Sequence, residues 1–355
     1  MSPAPGEPDT DPTSDAVARA MARALALGES VRGTTSPNPP VGAVILDAAG
    51  RQVGEGATQP PGGPHAEVMA LRQAGDRARG GTAVVTLEPC AHHGRTPPCA
   101  DALVRAGIAA VRFAVADPHP LGAGGGEVLR SSGVDVAEGL LADQVSGGPL
   151  RAWLHVTRTG RPHVTWKYAA SLDGRVAAAD RTSRWISGPR SRAEVHAMRA
   201  AADAIVVGTG TVRADDPWLT VRTSEGELAS RRPLRVVVGT GEIGDSARVL
   251  DDAAPTLRAR TRDPRQVLAL LAERDVVDVL LEGGPTLAGA FVRAGAVDRI
   301  VAYVAPILLG QGPVALGPSG VSTITEAHQW RVEGVTMTGR DVRISAVPAT
   351  GQGGG

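Results

Sequence analysis

Apolar positions at helical spacing predict a first helix from a Ser14 N-cap through Ala26, stopped by Gly28. Short apolar runs then predict strands at Val41–Asp47, Gln52–Ala57 and Thr82–Leu87, the last of them buried. A helix opens at His65 and ends at Gly75, and another opens at Pro97-Pro98 and runs to Ala106, before Gly107. Strands at Val111–Ala116 and Val134–Ala137 complete an α/β sandwich. Between them the glycine-rich Gly122–Gly126 reads as a mobile segment.

Residues 140–160 read as a connecting helix, interrupted at Gly147-Gly148-Pro149 and followed by a turn at Gly160-Arg161-Pro162. The pattern then restarts with a strand at His163–Ala170. A helix (Arg190–Ala202) and strands Ala204–Val207 and Leu234–Val238 follow. Next come a helix (Pro264–Arg274), a strand (Val277–Leu281), a helix (Pro285–Arg293) and a strand (Arg299–Ala305). Alternation over Arg331–Val347 predicts a closing hairpin. The expected division is a tail at 1–13, a domain at 14–143, a connector at 144–161, a second domain at 162–348 and a tail at 349–355.

Composition narrows the function classes. The chain has 37 basic and 37 acidic residues, so the clustered positive excess of a nucleic-acid surface is not expected. No apolar run reaches the roughly 20 residues of a membrane span, and no secretory signal opens the sequence. A cytoplasmic location, with both cysteines kept as thiols, is the expectation. Among the basic residues Lys occurs once, at Lys167, in a chain that otherwise uses Arg. An ammonium is a compact, titratable proton donor and a guanidinium is not, which makes Lys167 a candidate for chemistry.

Both cysteines fall in one pattern. Pro64-His65-Ala66-Glu67 is followed by Pro89-Cys90 and then by Cys99. Two thiolates and one imidazole suit Zn2+ and fill three tetrahedral positions, leaving a fourth for water. Glu67, two residues after His65, is placed to take that water's proton and pass it to departing ammonia. Cys99 sits at a predicted helix start, where the dipole favours a thiolate. Eight residues separate Cys90 from Cys99, against two in the common zinc deaminase pattern. His92 and His93 in that loop suit substrate contacts or loop packing, because a fourth protein ligand would close the catalytic position. Asn38, in a proline-fixed segment, is either a turn-former or a donor and acceptor for a heterocycle edge.

With both halves laid out, the chain resembles the bifunctional deaminase/reductases of riboflavin biosynthesis over roughly residues 14–348. In the first half the resemblance rests on Pro37-Asn38-Pro39, His65-Ala66-Glu67 and the stretch from Thr86 to Cys99, long spacing included. In the second it rests on Lys167, Ala169–Arg175, Ser183–Ser187, Thr209–Val212, Ala214–Pro217, Leu219–Arg222 and Glu282–Leu287. It implies a cytidine-deaminase-like α/β/α domain followed by a dihydrofolate-reductase-like α/β domain using NADPH. By resemblance His65, Cys90 and Cys99 bind Zn2+ and Glu67 shuttles the proton.

The implied cofactor contacts are Ala169, Trp185, Thr211, Asp215 and the turn of Gly284, Pro285, Thr286, Leu287, Ala288, Gly289 and Ala290. Thr240 joins them, although Gly239-Thr240 stands where the family often has Asp followed by Ser or Thr. The implied substrate contacts are Ser183, Arg199, Leu219, Arg222 and Glu282, besides Asn38, and the two arginines suit a sugar phosphate. Lys167 and Asp215 are both candidates for protonating the opening ribose oxygen. The partner implied is a small phosphoribosylaminopyrimidine, not nucleic acid or membrane, and a homo-oligomer, dimer or tetramer, formed through the reductase domains.

Overall fold

The computed structural model describes residues 12–92, 97–120, 122–223 and 226–349. The predicted tails fall outside these apart from Pro12, Thr13 and Ala349, and so does His93. The chain divides into two compact units between Thr159 and Gly160.

The first unit runs α1 (Pro12–Ser30), β1 (Gly42–Leu46), β2 (Gln52–Ala57), α2 (Ala66–Ala74), β3 (Thr82–Leu87), α3 (Cys99–Arg105), β4 (Ala110–Val115), α4 (Gly125–Ser131), β5 (Asp135–Glu138), α5 (Ala142–Gly147) and α6 (Arg151–Thr159). Its sheet has the order β2-β1-β3-β4-β5. β1 is antiparallel to β2 and β3, whereas β3, β4 and β5 are parallel. β1 and five residues of β3 are buried.

Three expectations change here. Helix α1 starts at Pro12, so Ser14 is inside it and not its cap, and it runs through Gly28 to Ser30. Gly28 marks a close approach instead of a stop, since a Cβ there would lie 2.7 Å from the Pro40 carbonyl oxygen. The Gly122–Gly126 stretch leads into helix α4, with Gly124 as its cap and Gly125 and Gly126 as its buried first residues. A Cβ on Gly125 would lie 1.6 Å from the Pro89 carbonyl oxygen, so only glycine lets α4 reach the segment that carries Cys90. The Glu88 carboxylate ties the segment down, accepting from the N–H groups of Asp117, Gly124 and Gly126 at 3.0, 3.2 and 2.9 Å. Finally, α5 and α6, expected as connector, fall within the first unit.

The second unit runs β6 (His163–Ser171), α7 (Pro189–Ala201), β7 (Ala204–Gly208), α8 (Thr209–Asp215), β8 (Leu234–Val238), β9 (Thr256–Ala259), α9 (Pro264–Ala272), β10 (Asp278–Leu281), α10 (Pro285–Arg293), β11 (Arg299–Ala305), β12 (Trp330–Thr338) and β13 (Asp341–Pro348). Its sheet has the order β12-β13-β11-β6-β10-β7-β8-β9. The six strands from β11 to β9 are parallel, and the terminal hairpin is antiparallel. Val164, Val206, Val236, Val279, Leu281 and Phe291 make a continuous core. Each such side chain contributes about 1.5–3 kcal/mol by leaving water. Sequence pattern missed α8 and β9, which are short and carry polar residues at alternate positions.

The chain leaves β7 for β8 and β9 on one side and returns through β10 to the other. That reversal makes a crevice outside the C-terminal strand ends, the usual ligand position in such sheets. No described helix is long and apolar enough to cross a membrane.

Candidate active sites

Three segments of the first unit leave the sheet at one end. Gly42 pairs with Ala57, and Ala43 with Val85, so the start of β1 lies beside the ends of β2 and β3. Asn38 precedes β1, His65 follows β2 and Cys90 follows β3. Asn38 is half-buried in a tight turn, its N–H donating to the Thr35 carbonyl at 2.8 Å and its carbonyl accepting from the Thr35 hydroxyl at 2.9 Å.

His65 is the N-cap of α2 and Cys99 is the first residue of α3. Gly56 makes the first placement possible, since a Cβ there would lie 2.5 Å from the Ala66 carbonyl oxygen. His65 Nδ1 is 3.4 Å from Cys99 Sγ and 3.7 Å from Cys90 Sγ. The three donor atoms lie within 4.8 Å of one another. The Cys99 N–H points at Cys90 Sγ, 3.4 Å away. Two thiols and an imidazole at this separation suit tetrahedral zinc and leave one position open. Hydrogen bonding from the Cys99 thiol, with help from His65 and the Cys99 N–H, pulls Cys90 down to about 4 against the cost of burial. The same hydrogen bond pushes Cys99 up, and the two thiols titrate as one coupled pair.

Glu67 lies in the first turn of α2 and is 4% exposed. Burial raises its pKa, and the neighbouring Cys90 thiolate raises it further. A carboxyl moved up towards neutrality is suited to taking and returning a proton. The structure therefore brings His65, Glu67, Cys90 and Cys99 together, with Asn38 at the same end of the sheet.

In the second unit three of the predicted residues, Lys167, Arg199 and Glu282, are brought together. Lys167 of β6 and Glu282, just beyond β10, stand 3.9 Å apart. Arg199 of α7 grips the same carboxylate with two bonds of 2.6 and 2.9 Å, and a third reaches the Thr220 carbonyl at 3.3 Å. Burial lowers the Lys167 pKa, Glu282 partly offsets this, and Arg199 adds to it. Burial would raise Glu282, but Arg199 and Lys167 outweigh it and hold the carboxylate at about 2. His196, which sequence reasoning passed over, accepts from the Arg222 N–H at 3.4 Å. Burial and then Arg199 push its pKa down. Its position on α7, one turn before Arg199, was the available signal.

Leu219 is buried with φ of 52°, whereas Arg222 donates to the Gly226 carbonyl at 2.7 Å. Ser183 and Asp215 line a cleft of about 930 Å³, together with Arg184, Arg213 and Arg248. Burial raises the Asp215 pKa and Arg184 opposes the rise. Trp185 stands 65% exposed with the Arg192 guanidinium 4.5 Å from its ring centre. The Gly284 N–H donates to the Thr211 hydroxyl at 3.2 Å, so two predicted cofactor residues meet directly. Gly284 caps α10, and Pro285 through Ala290 are helical, with Ala288 and Gly289 buried. Ala169 is part-buried in β6, while Thr240 is exposed beyond β8. The free N-terminus of α10 beside a glycine turn fits an anionic dinucleotide.

The chain matches the family described as RibD C-terminal domain over residues 162–344. It matches the cytidine and deoxycytidylate deaminase zinc-binding region over residues 15–115. It is 57% identical over 317 residues to riboflavin biosynthesis protein RibD of Mycobacterium tuberculosis (strain ATCC 25618 / H37Rv), spanning 89% of this chain and 93% of that one. It is 41% identical over 362 residues to the protein of the same name from Escherichia coli (strain K12), spanning 92% and 97%. Among solved structures, Acinetobacter baumannii RibD, form 1, superposes with a TM-score of 0.82 at 35% identity, covering 94% of this chain and 99% of that one. A Thermotoga maritima diaminohydroxyphosphoribosylaminopyrimidine deaminase/5-amino-6-(5-phosphoribosylamino)uracil reductase does so at 0.84 and 32%, covering 94% and 99%.

Proposed function

The chain belongs to the bifunctional riboflavin-biosynthesis deaminase/reductase family, and we propose how its own residues divide the two reactions. It is a zinc-dependent deaminase of diaminohydroxyphosphoribosylaminopyrimidine and an NADPH-dependent reductase of the ribosyl side chain of 5-amino-6-(5-phosphoribosylamino)uracil.

In the first unit His65, Cys90 and Cys99 hold zinc, whose Lewis acidity lowers the pKa of a water towards neutrality. With zinc held there, the buried Glu67 carboxylate would be the group that takes a water's proton and passes it to the departing amine nitrogen. Asn38 holds the edge of the pyrimidine. The observation that supports this division is the convergence of three ligand atoms beside one buried carboxyl.

In the second unit NADPH supplies hydride. Lys167 Nζ gives the proton to the opening ribose oxygen. Support comes from its place in a buried cluster with Glu282 and Arg199, where burial brings its pKa down towards the working range of an acid catalyst. Asp215 is then a positioning group at the cleft, beside Ser183. Arg199 acts through Glu282, and Arg222 is the arginine left for the substrate phosphate.

The proposal includes a cytoplasmic enzyme, supported by its two free thiols. It includes a homo-oligomer, dimer or tetramer, through the second unit. The edge strand β12 exposes Val332, Val335 and Met337, a surface that invites pairing. Light scattering reads this directly, and a monomer removes it.

The decisive experiment follows NADPH oxidation by wild type and Glu67→Gln. With the aminated ribotide, wild type oxidises NADPH and the variant does not. With the deaminated ribotide, both do. A variant that still oxidises NADPH from the aminated substrate would remove Glu67 from its role.

A further inference from the structure

The C-terminal edge of the second sheet presents β6, β10, β7 and β8 in that order. Lys167 and Glu282 occupy the β6–β10 side. The Gly283-Gly284 turn, next to Thr211 of α8, lies in front of β10 and β7. A dinucleotide with its nicotinamide towards Lys167 and its pyrophosphate at the start of α10 therefore carries its adenosine ribose ahead of β8.

The chain there reads Gly239-Thr240-Gly241-Glu242. A site for an unphosphorylated ribose offers a free carboxylate to the 2′-hydroxyl, and one for a 2′-phosphate offers a nearby Arg. The first acid after β8 is Glu242, and its carboxylate is turned to Arg258 at 3.6 Å and Arg260 at 3.7 Å. Facing the turn from the other side are Thr209 and Arg213 of α8. A Cβ on Gly239 would lie 2.9 Å from Thr209 Oγ1. A Cβ on Gly241 would lie 3.2 Å from the same oxygen and 3.4 Å from Arg213 Nη2. The two glycines thus keep side chains out of the space between the turn and α8. Neither Arg213 nor the Thr209 hydroxyl has a hydrogen-bond or ion-pair partner among the described residues. Arg258 and Arg260 thus hold Glu242 on one side of the turn, and Arg213 stands on the other.

We propose that Arg213, with the Thr209 and Thr240 hydroxyls, binds the 2′-phosphate of NADPH and thereby sets the preference for NADPH over NADH. This rests on the second unit being the NADPH reductase. A guanidinium suits a phosphate because its planar fork gives two parallel charged hydrogen bonds. The departure from the family pattern at Gly239-Thr240 then has a function. Glycine at 239 keeps a side chain off the Thr209 hydroxyl, 2.9 Å from where a Cβ would stand, and leaves the path to Arg213 open.

Dissociation constants of NADPH and NADH, measured by calorimetry on the full chain, test this. Arg213→Ala weakens NADPH roughly 10–100-fold and leaves NADH binding where it was. Arg213→Lys recovers part of the loss, keeping the charge without the fork. Adenosine 2′-monophosphate competes with NADPH on wild type better than adenosine 5′-monophosphate does, and loses that advantage on Arg213→Ala. Equal weakening of NADPH and NADH, or unchanged NADPH binding, overturns the assignment of Arg213 alone. Wild type that binds neither dinucleotide overturns the reductase reading and the proposal with it.

Discussion

The two sites of this chain are assembled in opposite ways. The deaminase centre is short-range: three ligand atoms within 4.8 Å and a carboxyl on the same helix turn as His65. Its geometry is set by the chemistry of one ion, which accepts few arrangements of thiolate and imidazole. The reductase centre is spread along a sheet edge. As we propose it, that centre draws Lys167 from β6, Arg199 from α7, Thr211 from α8 and Glu282 from the end of β10, and ion pairs join Lys167 and Arg199 to Glu282. A metal centre concentrates its specification in a few residue types at close spacing. A dinucleotide crevice distributes it over strand order, turn shape and buried charge.

The largest expected effect comes from treating the two organising principles separately. Stripping zinc with a chelator takes ammonia release to background, because His65, Cys90 and Cys99 alone activate no water. NADPH oxidation with deaminated substrate continues. Lys167→Met is the converse lesion, lowering NADPH oxidation roughly 10²–10⁴-fold and sparing ammonia release. Loss of both activities after either treatment would sink the contrast between the two sites.

The same contrast explains what was legible in the sequence. Both halves showed α/β periodicity, and β2, β3, β8, α10 and β11 have the bounds the pattern predicted. The grouping of His65, Cys90 and Cys99, with Glu67 in the same helix turn as His65, was readable from residue chemistry, since a His-x-Glu followed by both cysteines of the chain is a zinc pattern. In the second unit only Lys167 announced itself, by its rarity. The pairing of Arg199 with Glu282 was not legible, because a bidentate pair across 83 positions leaves no periodic trace. Helix α8 was invisible because seven residues with one glycine and polar side chains at alternate positions do not make a helical pattern. Gly122–Gly126 misled in the other direction: its glycines mark close packing against Pro89, which requires knowing what lies opposite.

Arg235 sharpens the comparison at the level of stability. A lone charge in the apolar run Leu234–Val238, it is fully buried in β8. Its guanidinium donates to Thr256 Oγ1 at 2.9 Å, Asp251 Oδ1 at 2.7 Å and the Trp218 carbonyl at 3.3 Å, and to the carbonyls of Asp251 and Ala254. One side chain thus fastens the loops on both sides of β8, including the one that carries Leu219. Arg235→Met takes the donor from the buried Ala254 carbonyl and the half-buried Thr256 hydroxyl, while Asp251 stays open to water, and costs the second unit about 1–3 kcal/mol. Four of the five tryptophans, Trp166, Trp185, Trp218 and Trp330, belong to that unit, so urea unfolding followed by fluorescence reads it. A loss below about 1 kcal/mol would show that water replaces the guanidinium.

The smallest effect is the acid response of the reductase centre. Glu282 sits at about 2 in the folded protein, against an unfolded value of 4.5, because Arg199 and Lys167 outweigh its burial. Its folded pKa is depressed, so the unfolded state binds the proton first as pH falls. The stabilisation is complete above the unfolded value and fades between about pH 4.5 and pH 2. The shift corresponds to about 3 kcal/mol, an upper figure for a pair whose partners already pay for desolvation. Glu282→Gln abolishes this dependence, since an amide does not titrate, and it leaves Arg199 buried beside a neutral group. Tryptophan fluorescence across that pH window should therefore give a steep loss of stability for wild type and a flatter one for Glu282→Gln. Parallel curves would mean that the carboxylates responsible for acid unfolding lie elsewhere, and that the ion pairs at this centre serve the substrate and not the fold.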